Sequence, residues 1–124
     1  MSNLIYESES YQLLGICMEV QSHLGSGFLE VVYKDALQYE LSQSGIAYER
    51  EKLYHVHYKD VTLPHKFYAD FVILDKIILE VKAVSKIRDE FKAQALNYLK
   101  VSGNKLALIV NFGSTRLSHQ RIVY

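Results

Sequence analysis

The apolar positions fall into blocks whose repeat length changes along the chain. From about Glu9 to Leu24, the residues Leu13, Leu14, Cys17, Val20 and Leu24 recur at helical spacing, and the LGSG that follows suits a helix end and a tight turn. A second helix is predicted from near Phe28. Leu29, Val32, Tyr33, Ala36, Leu37 and Leu41 form its buried stripe, Lys34, Asp35 and Gln38 its wet side, and Gly45 its end. From Ile46 the period becomes two, with Ile46, Tyr48, Tyr54, Val56 and Tyr58 alternating with Glu49, Glu51, His55 and His57, which predicts a half-exposed strand.

KDVTLP is expected to turn the chain, and HKFYADFVI and KIILEVKAV read as two strands joined around Leu74-Asp75-Lys76 in a hairpin. Helical spacing returns in RDEFKAQALNYLKVSG through Phe91, Ala95, Tyr98 and Leu99. KLALIVNF is nearly all apolar, as in a strand covered on both faces, and HQRIVY is a candidate last strand. A helix between two buried strands implies a crossover, so the predicted fold is α/β or α+β with a mixed sheet flanked by helices. No linker or repeat interrupts residues 1–124, which read as a single domain.

Composition sharpens this in three respects. With 49% hydrophobic residues the chain is globular, and its 14 basic and 14 acidic side chains cancel, so any nucleic-acid footprint must be local. The single cysteine, Cys17, lies on a buried stripe and has no partner for an intramolecular disulfide, from which a reducing, cytoplasmic setting is expected. The polar, acidic start MSNLIYESES is unlike a signal peptide, and no apolar run is long enough to cross a bilayer, so no membrane role is expected.

Asp70, Glu80 and Lys82 stand inside strands otherwise built for burial, where an unpaired charge costs several kcal/mol, on the order of 3 or more. Glu80 and Lys82 share one face of their strand while Leu79, Val81 and Ala83 take the other. Two carboxylates and a lysine on one face suit a hard divalent cation, with the lysine free to meet a phosphate or an attacking water. Hairpin register decides whether they converge. A two-residue turn would pair Phe71 with Glu80 and turn Asp70 away, whereas Ile73 opposite Ile77 across a three-residue loop brings Asp70 to Glu80. An odd-membered loop or bulge near Leu74 to Lys76 is therefore predicted. The alternative account of these charges is a salt bridge of Lys82 with one of the acids at a wet sheet edge, and the residue pattern leaves both open.

The spacing of Asp70 from Glu80-Val81-Lys82, after a helix bearing a glutamate, resembles the PD-(D/E)XK nuclease superfamily. More closely, Gly27-x-x-Glu30-x-x-Tyr33 together with YADFVILDKIILEVKAV, QALNYLK, LIVNFG and RIVY resembles the GxxExxY family. The resemblance implies a restriction-endonuclease-like αβββαβ core with an extra N-terminal helix. It implies that Asp70, Glu80, the Val81 carbonyl and Glu30 are metal ligands for Mg²⁺ or Mn²⁺, and that Lys82 orients water or stabilises phosphate charge. Gln94 and Tyr98, four apart on one helical face, match a Gln-x-x-x-Tyr motif of RecB-like members, and the resemblance gives them a role in orienting Lys82 or contacting phosphate. YAD stands where the superfamily's name has Pro-Asp.

Glu30 has two readings. In one, Gly27 caps the second helix and Glu30, at its third position, favours the dipole and closes a capping box. In the other, Glu30 and Tyr33 point from one side of that helix at Asp70 and Glu80. Of the remaining candidates, His55, His57 and His65 suggest zinc but lack a fourth ligand at structural spacing. The ten tyrosines read mostly as boundary residues, and Lys86, Arg88, Lys92, Lys100, Lys105, Arg116 and Arg121 read as solvated charges or a phosphate path. The expectation is a metal-dependent nuclease acting on DNA or RNA, with a catalytically silent nuclease-fold module that binds nucleic acid or protein as the alternative. So small a domain would select substrates through a homodimer, a protein partner, or a preference for ends or single strands.

Overall fold

The computed structural model describes residues 4–124. Helices α1 (Glu7–Leu24) and α2 (Glu30–Gln43) precede strands β1 (Tyr48–Tyr58), β2 (Val61–Ile73) and β3 (Ile77–Lys82). Helix α3 (Asp89–Ser102), β4 (Leu106–Asn111) and β5 (Ser118–Val123) follow. The strands form one sheet in the order β1-β2-β3-β4-β5. All neighbours are antiparallel except β3 and β4, which run parallel because α3 carries the chain across between them. The result is the α+β, mixed-sheet architecture that the periodicities imply.

Each face of the sheet has its own core. Ile73, Ile77, Leu79, Val81, Leu108 and Val110 pack with Leu13, Cys17, Tyr33, Leu37 and Leu41 from α1 and α2. On the opposite face Val72, Ile78, Ala107 and Ile109 meet Ala95, Tyr98 and Leu99 of α3. Strands β3 and β4 are sandwiched between these layers, which explains why their sequences lack alternation.

Three local features differ from the pattern-based expectations. First, α2 begins at Glu30, with Leu29 extended before it, so Glu30 is the first helical residue and no capping box forms. Its charge still favours the helix N-terminus. Second, KDVTLP is not all turn. Lys59, at φ 55°, and Asp60 make the reversal, and Val61 already begins β2. The register shifts between His55 and His57, opposite the segment holding Pro64, where an irregular ladder accommodates a residue with no N–H to donate.

Third, β1 does not keep one face throughout. Tyr48 packs in the α1/α2 core and Tyr54 in the α3 core, although both are even-numbered. The odd-numbered residues of β2 divide likewise, Phe71 and Ile73 in the first core and Phe67 and Ala69 in the second. The reversal falls at Glu51, whose φ of 55° is left-handed in mid-strand. Such a residue turns the pleat over, and it does so beside Asp70.

Candidate metal centre

The β2–β3 turn brings Asp70 and Glu80 together. Ile73 pairs with Ile77, and the three intervening residues close through a hydrogen bond from the Lys76 N–H to the Ile73 carbonyl at 3.0 Å. Leu74 and Asp75, with φ of 55° and 57°, give this turn the left-handed pair that matches the twist of a hairpin. The odd-membered loop that convergence requires is therefore present. Beyond the regular ladder the two acids replace backbone pairing. The Val81 N–H donates to Asp70 Oδ2 at 2.8 Å, and the Asp70 N–H donates to Glu80 Oε2 at 3.4 Å.

Glu80 is 5% exposed, and its Oε1 has no hydrogen-bond partner. Burial in the first place, and the adjacent Asp70 in the second, hold its carboxyl far above the usual carboxylate range. A buried acceptor left unpaired costs about 1–3 kcal/mol, more if charged, so this oxygen is expensive as it stands. Two carboxylates offering hard oxygens, one of them orphaned, fit a divalent cation of the Mg²⁺ or Mn²⁺ type.

Lys82 lies on the same strand face as Glu80. Its Nζ sits 4.6 Å from the centroid of Phe91 and makes no ion pair among the described residues. The expected alternative, a salt bridge from Lys82 to an acid, is thus absent there. The cation on Asp70 comes instead from Lys34, read from its spacing as a wet-side residue. Its Nζ is 2.8 Å from Asp70 Oδ1 and 3.1 Å from Glu51 Oε1, and its side chain is 15% exposed. Burial opposes its charge, but the two carboxylates outweigh that and raise its pKa.

Glu30, half-buried, stands one helical turn before Lys34 on the same side of α2 and has no side-chain partner among the described residues. It is not gathered with Asp70 and Glu80: no group of three or more His, Cys, Asp or Glu side chains placed to hold a metal occurs among the described residues. Tyr33 has a different environment from the one expected. Its ring is wholly buried and stacked on Phe112, and its hydroxyl donates to the Gly25 carbonyl at 2.6 Å and accepts from the Phe28 N–H at 3.3 Å. These bonds fasten the α1–α2 connection, where Gly27 takes a φ of 113° that a side chain would oppose.

Tyr98 borders the site from α3. Its hydroxyl donates to the Tyr68 carbonyl at 3.1 Å, and burial first, then the charges of Glu80 and Asp70, push its pKa up to about 12. Gln94, a turn earlier on the same side, is exposed and unpartnered among the described residues. The loop after Lys82 is fixed by the buried Asn111, which accepts from the Val84 N–H at 3.0 Å and donates to its carbonyl at 2.9 Å. A Cβ on Gly113 would collide with that same backbone. The histidines do not assemble: His57 bonds Thr62 and His65 packs edge-on to Phe67. Arg121 ties β5 to α1 through Ser10 and the Ile5 carbonyl.

A mixed sheet with a crossover helix, carrying an acidic pair at the end of its central hairpin, defines a restriction-endonuclease-like domain. Comparison with family profiles gives that class its name. Residues 7–122 match the PD-(D/E)XK nuclease superfamily, and the chain belongs to it. Among solved structures it is similar to one titled "Crystal structure of SSO0001", with a TM-score of 0.63 and 22% identity over 95% of this chain. The likeness is one of fold, and the chain spans only 59% of that structure's chain. No curated protein matches the sequence.

Proposed function

We propose that the chain is a metal-dependent nuclease of the GxxExxY type, hydrolysing phosphodiester bonds in DNA or RNA. The observation that carries this reading is Glu80 Oε1, buried without a partner beside Asp70. A protein that keeps a buried, unsatisfied carboxyl oxygen beside Ile78 and Ile109 gives up stability for something that site binds. The chemistry that Mg²⁺ or Mn²⁺ supplies in such a setting is Lewis-acid polarisation of a phosphoryl oxygen. Asp70, Glu80 and the Val81 carbonyl are the groups that would hold the ion; Glu30, on α2, stands apart from them in the metal-free chain. Lys82, which makes no ion pair among the described residues, would position the attacking water or take up developing phosphate charge. Gln94 and Tyr98 border the approach from α3.

The test is Mn²⁺ and Mg²⁺ binding by calorimetry on wild type, Asp70→Ala and Glu80→Ala, with circular dichroism to confirm folding. Binding that both substitutions abolish is the expected result and justifies screening nucleic-acid substrates. Absence of binding at millimolar metal, with nucleic acid added, rejects catalysis in favour of a silent module that binds nucleic acid or protein. One observation favours that second reading: Asp70 already has a cation, Lys34.

A further inference from the structure

The Lys34 ammonium is shared between two carboxylates with unequal surroundings. Asp70 is 14% exposed and belongs to the candidate metal centre, while Glu51 is 49% exposed and lies at its rim. Glu51 is held there by an unusual backbone. Its left-handed φ of 55° in the middle of β1 costs roughly 1–2 kcal/mol for a residue with a Cβ. That conformation coincides with the reversal of the strand's faces at the position abutting Asp70. Strain of this kind persists where the surroundings demand it and is often tied to function.

We infer that Lys34 is a resident cation, shared by Asp70 and Glu51 when the metal is absent and handed over to Glu51 alone when a divalent ion is taken up. The inference rests on the metal-dependent reading above. Without Lys34, the metal-free protein would hold Asp70 beside Glu80 with no cation in contact with Asp70. Without Glu51, uptake of the ion would expel Lys34 from its half-buried place with no acceptor to receive it. Lys34 and Glu51 are thus positioning residues: they act on the ion through Asp70, and Glu51 acts only through Lys34. This dependence distinguishes a hand-over from a mere sum of nearby charges.

A double-mutant cycle read by Mn²⁺ calorimetry tests it. Lys34→Met should tighten Mn²⁺ binding about tenfold by removing the competitor. Glu51→Gln should weaken it about fivefold in wild type, because Lys34 then has only Asp70, yet change it less than about twofold once Lys34 is Met. If Lys34→Met does not fold, Lys34→Gln takes its place, since the amide keeps a donor towards Asp70 without the charge. Equal weakening by Glu51→Gln in both backgrounds, or no tightening on loss of Lys34, overturns the hand-over and leaves the metal reading standing. Failure of both wild type and the Lys34 variant to bind millimolar Mn²⁺ overturns both. Binding gained only when Lys34 is removed would mean that the lysine blocks the site in wild type, and it overturns the hand-over as well.

Discussion

The two faces of β3 differ in what the same six residues are asked to do. Ile77, Leu79 and Val81 are wholly buried against the α1/α2 layer and pack there in a cluster of apolar and aromatic side chains. On the other face Ile78 begins an equivalent core under α3, but Glu80 and Lys82 replace its continuation. The alternation of a strand makes this division possible, because a charge placed on one face leaves the packing of the other untouched. Stability is concentrated on one side and chemistry on the other, and substitutions on the two faces should have opposite effects.

The largest effect is expected on the apolar face. Leu79→Ala removes a fully buried side chain from the middle of the α1/α2 core and should lower the unfolding free energy by about 3 kcal/mol, measured by urea denaturation. Mn²⁺ affinity of the molecules that remain folded should stay within about twofold, since the Asp70–Val81 and Asp70–Glu80 hydrogen bonds do not involve that side chain. A large loss of affinity would show that the two faces are not separable.

On the charged face the sign reverses. Glu80→Gln should stabilise the metal-free protein by about 2 kcal/mol at pH 7.5 while abolishing metal binding. The pH dependence follows from the raised pKa of Glu80. The folded chain keeps that proton while the unfolded chain releases it above the ordinary value of 4.5, so wild-type stability falls as pH rises beyond that point. Gln carries no such proton, and the gain should shrink towards zero at pH 4. Urea midpoints for both proteins at the two pH values check this, and a gain independent of pH would mean that burial of the carboxyl is not its cause.

The contrast between the faces also accounts for what could be read from the sequence. Apolar spacing located the helices, whereas β3 and β4, covered on both faces, were legible as continuous apolar runs with no period. The register of the β2–β3 hairpin was legible as well: only one loop parity puts Asp70 opposite Glu80, and Ile73 does pair with Ile77. Lys34 was not legible, since a lysine on the polar side of an amphipathic stripe looks solvated until its long side chain is seen reaching Asp70. Spacing from Glu30, four residues earlier, was the one available hint. Nor does any residue type announce the reversal at Glu51, because left-handed backbone is signalled by glycine or asparagine and neither is there. Tyr33 was misplaced for a related reason. A buried tyrosine needs a partner for its hydroxyl, and the nearby loop supplied two where the motif suggested the site.

The smallest effect sharpens the comparison by placing an acid on the dry side. Cys17 is fully buried in the α1/α2 core, and burial alone pushes its thiol from the ordinary 9.0 up to about 12. Glu80 is raised by burial and by a neighbouring carboxylate, so it answers to whatever binds Asp70, whereas Cys17 has only the apolar core around it. Above pH 9 the unfolded chain loses the thiol proton that the folded chain retains, so this residue lowers stability as pH rises from about 9 towards 12. The difference in unfolding free energy between wild type and Cys17→Ala, from urea denaturation, should therefore move in favour of the variant between pH 8 and pH 10, by about 1.4 kcal/mol. Added Mn²⁺ should stabilise the two proteins equally and leave that pH-dependent difference unchanged. A difference that vanished on adding metal would mean that the α1/α2 core senses the acidic pair, and the division of labour between the faces of β3 would not hold.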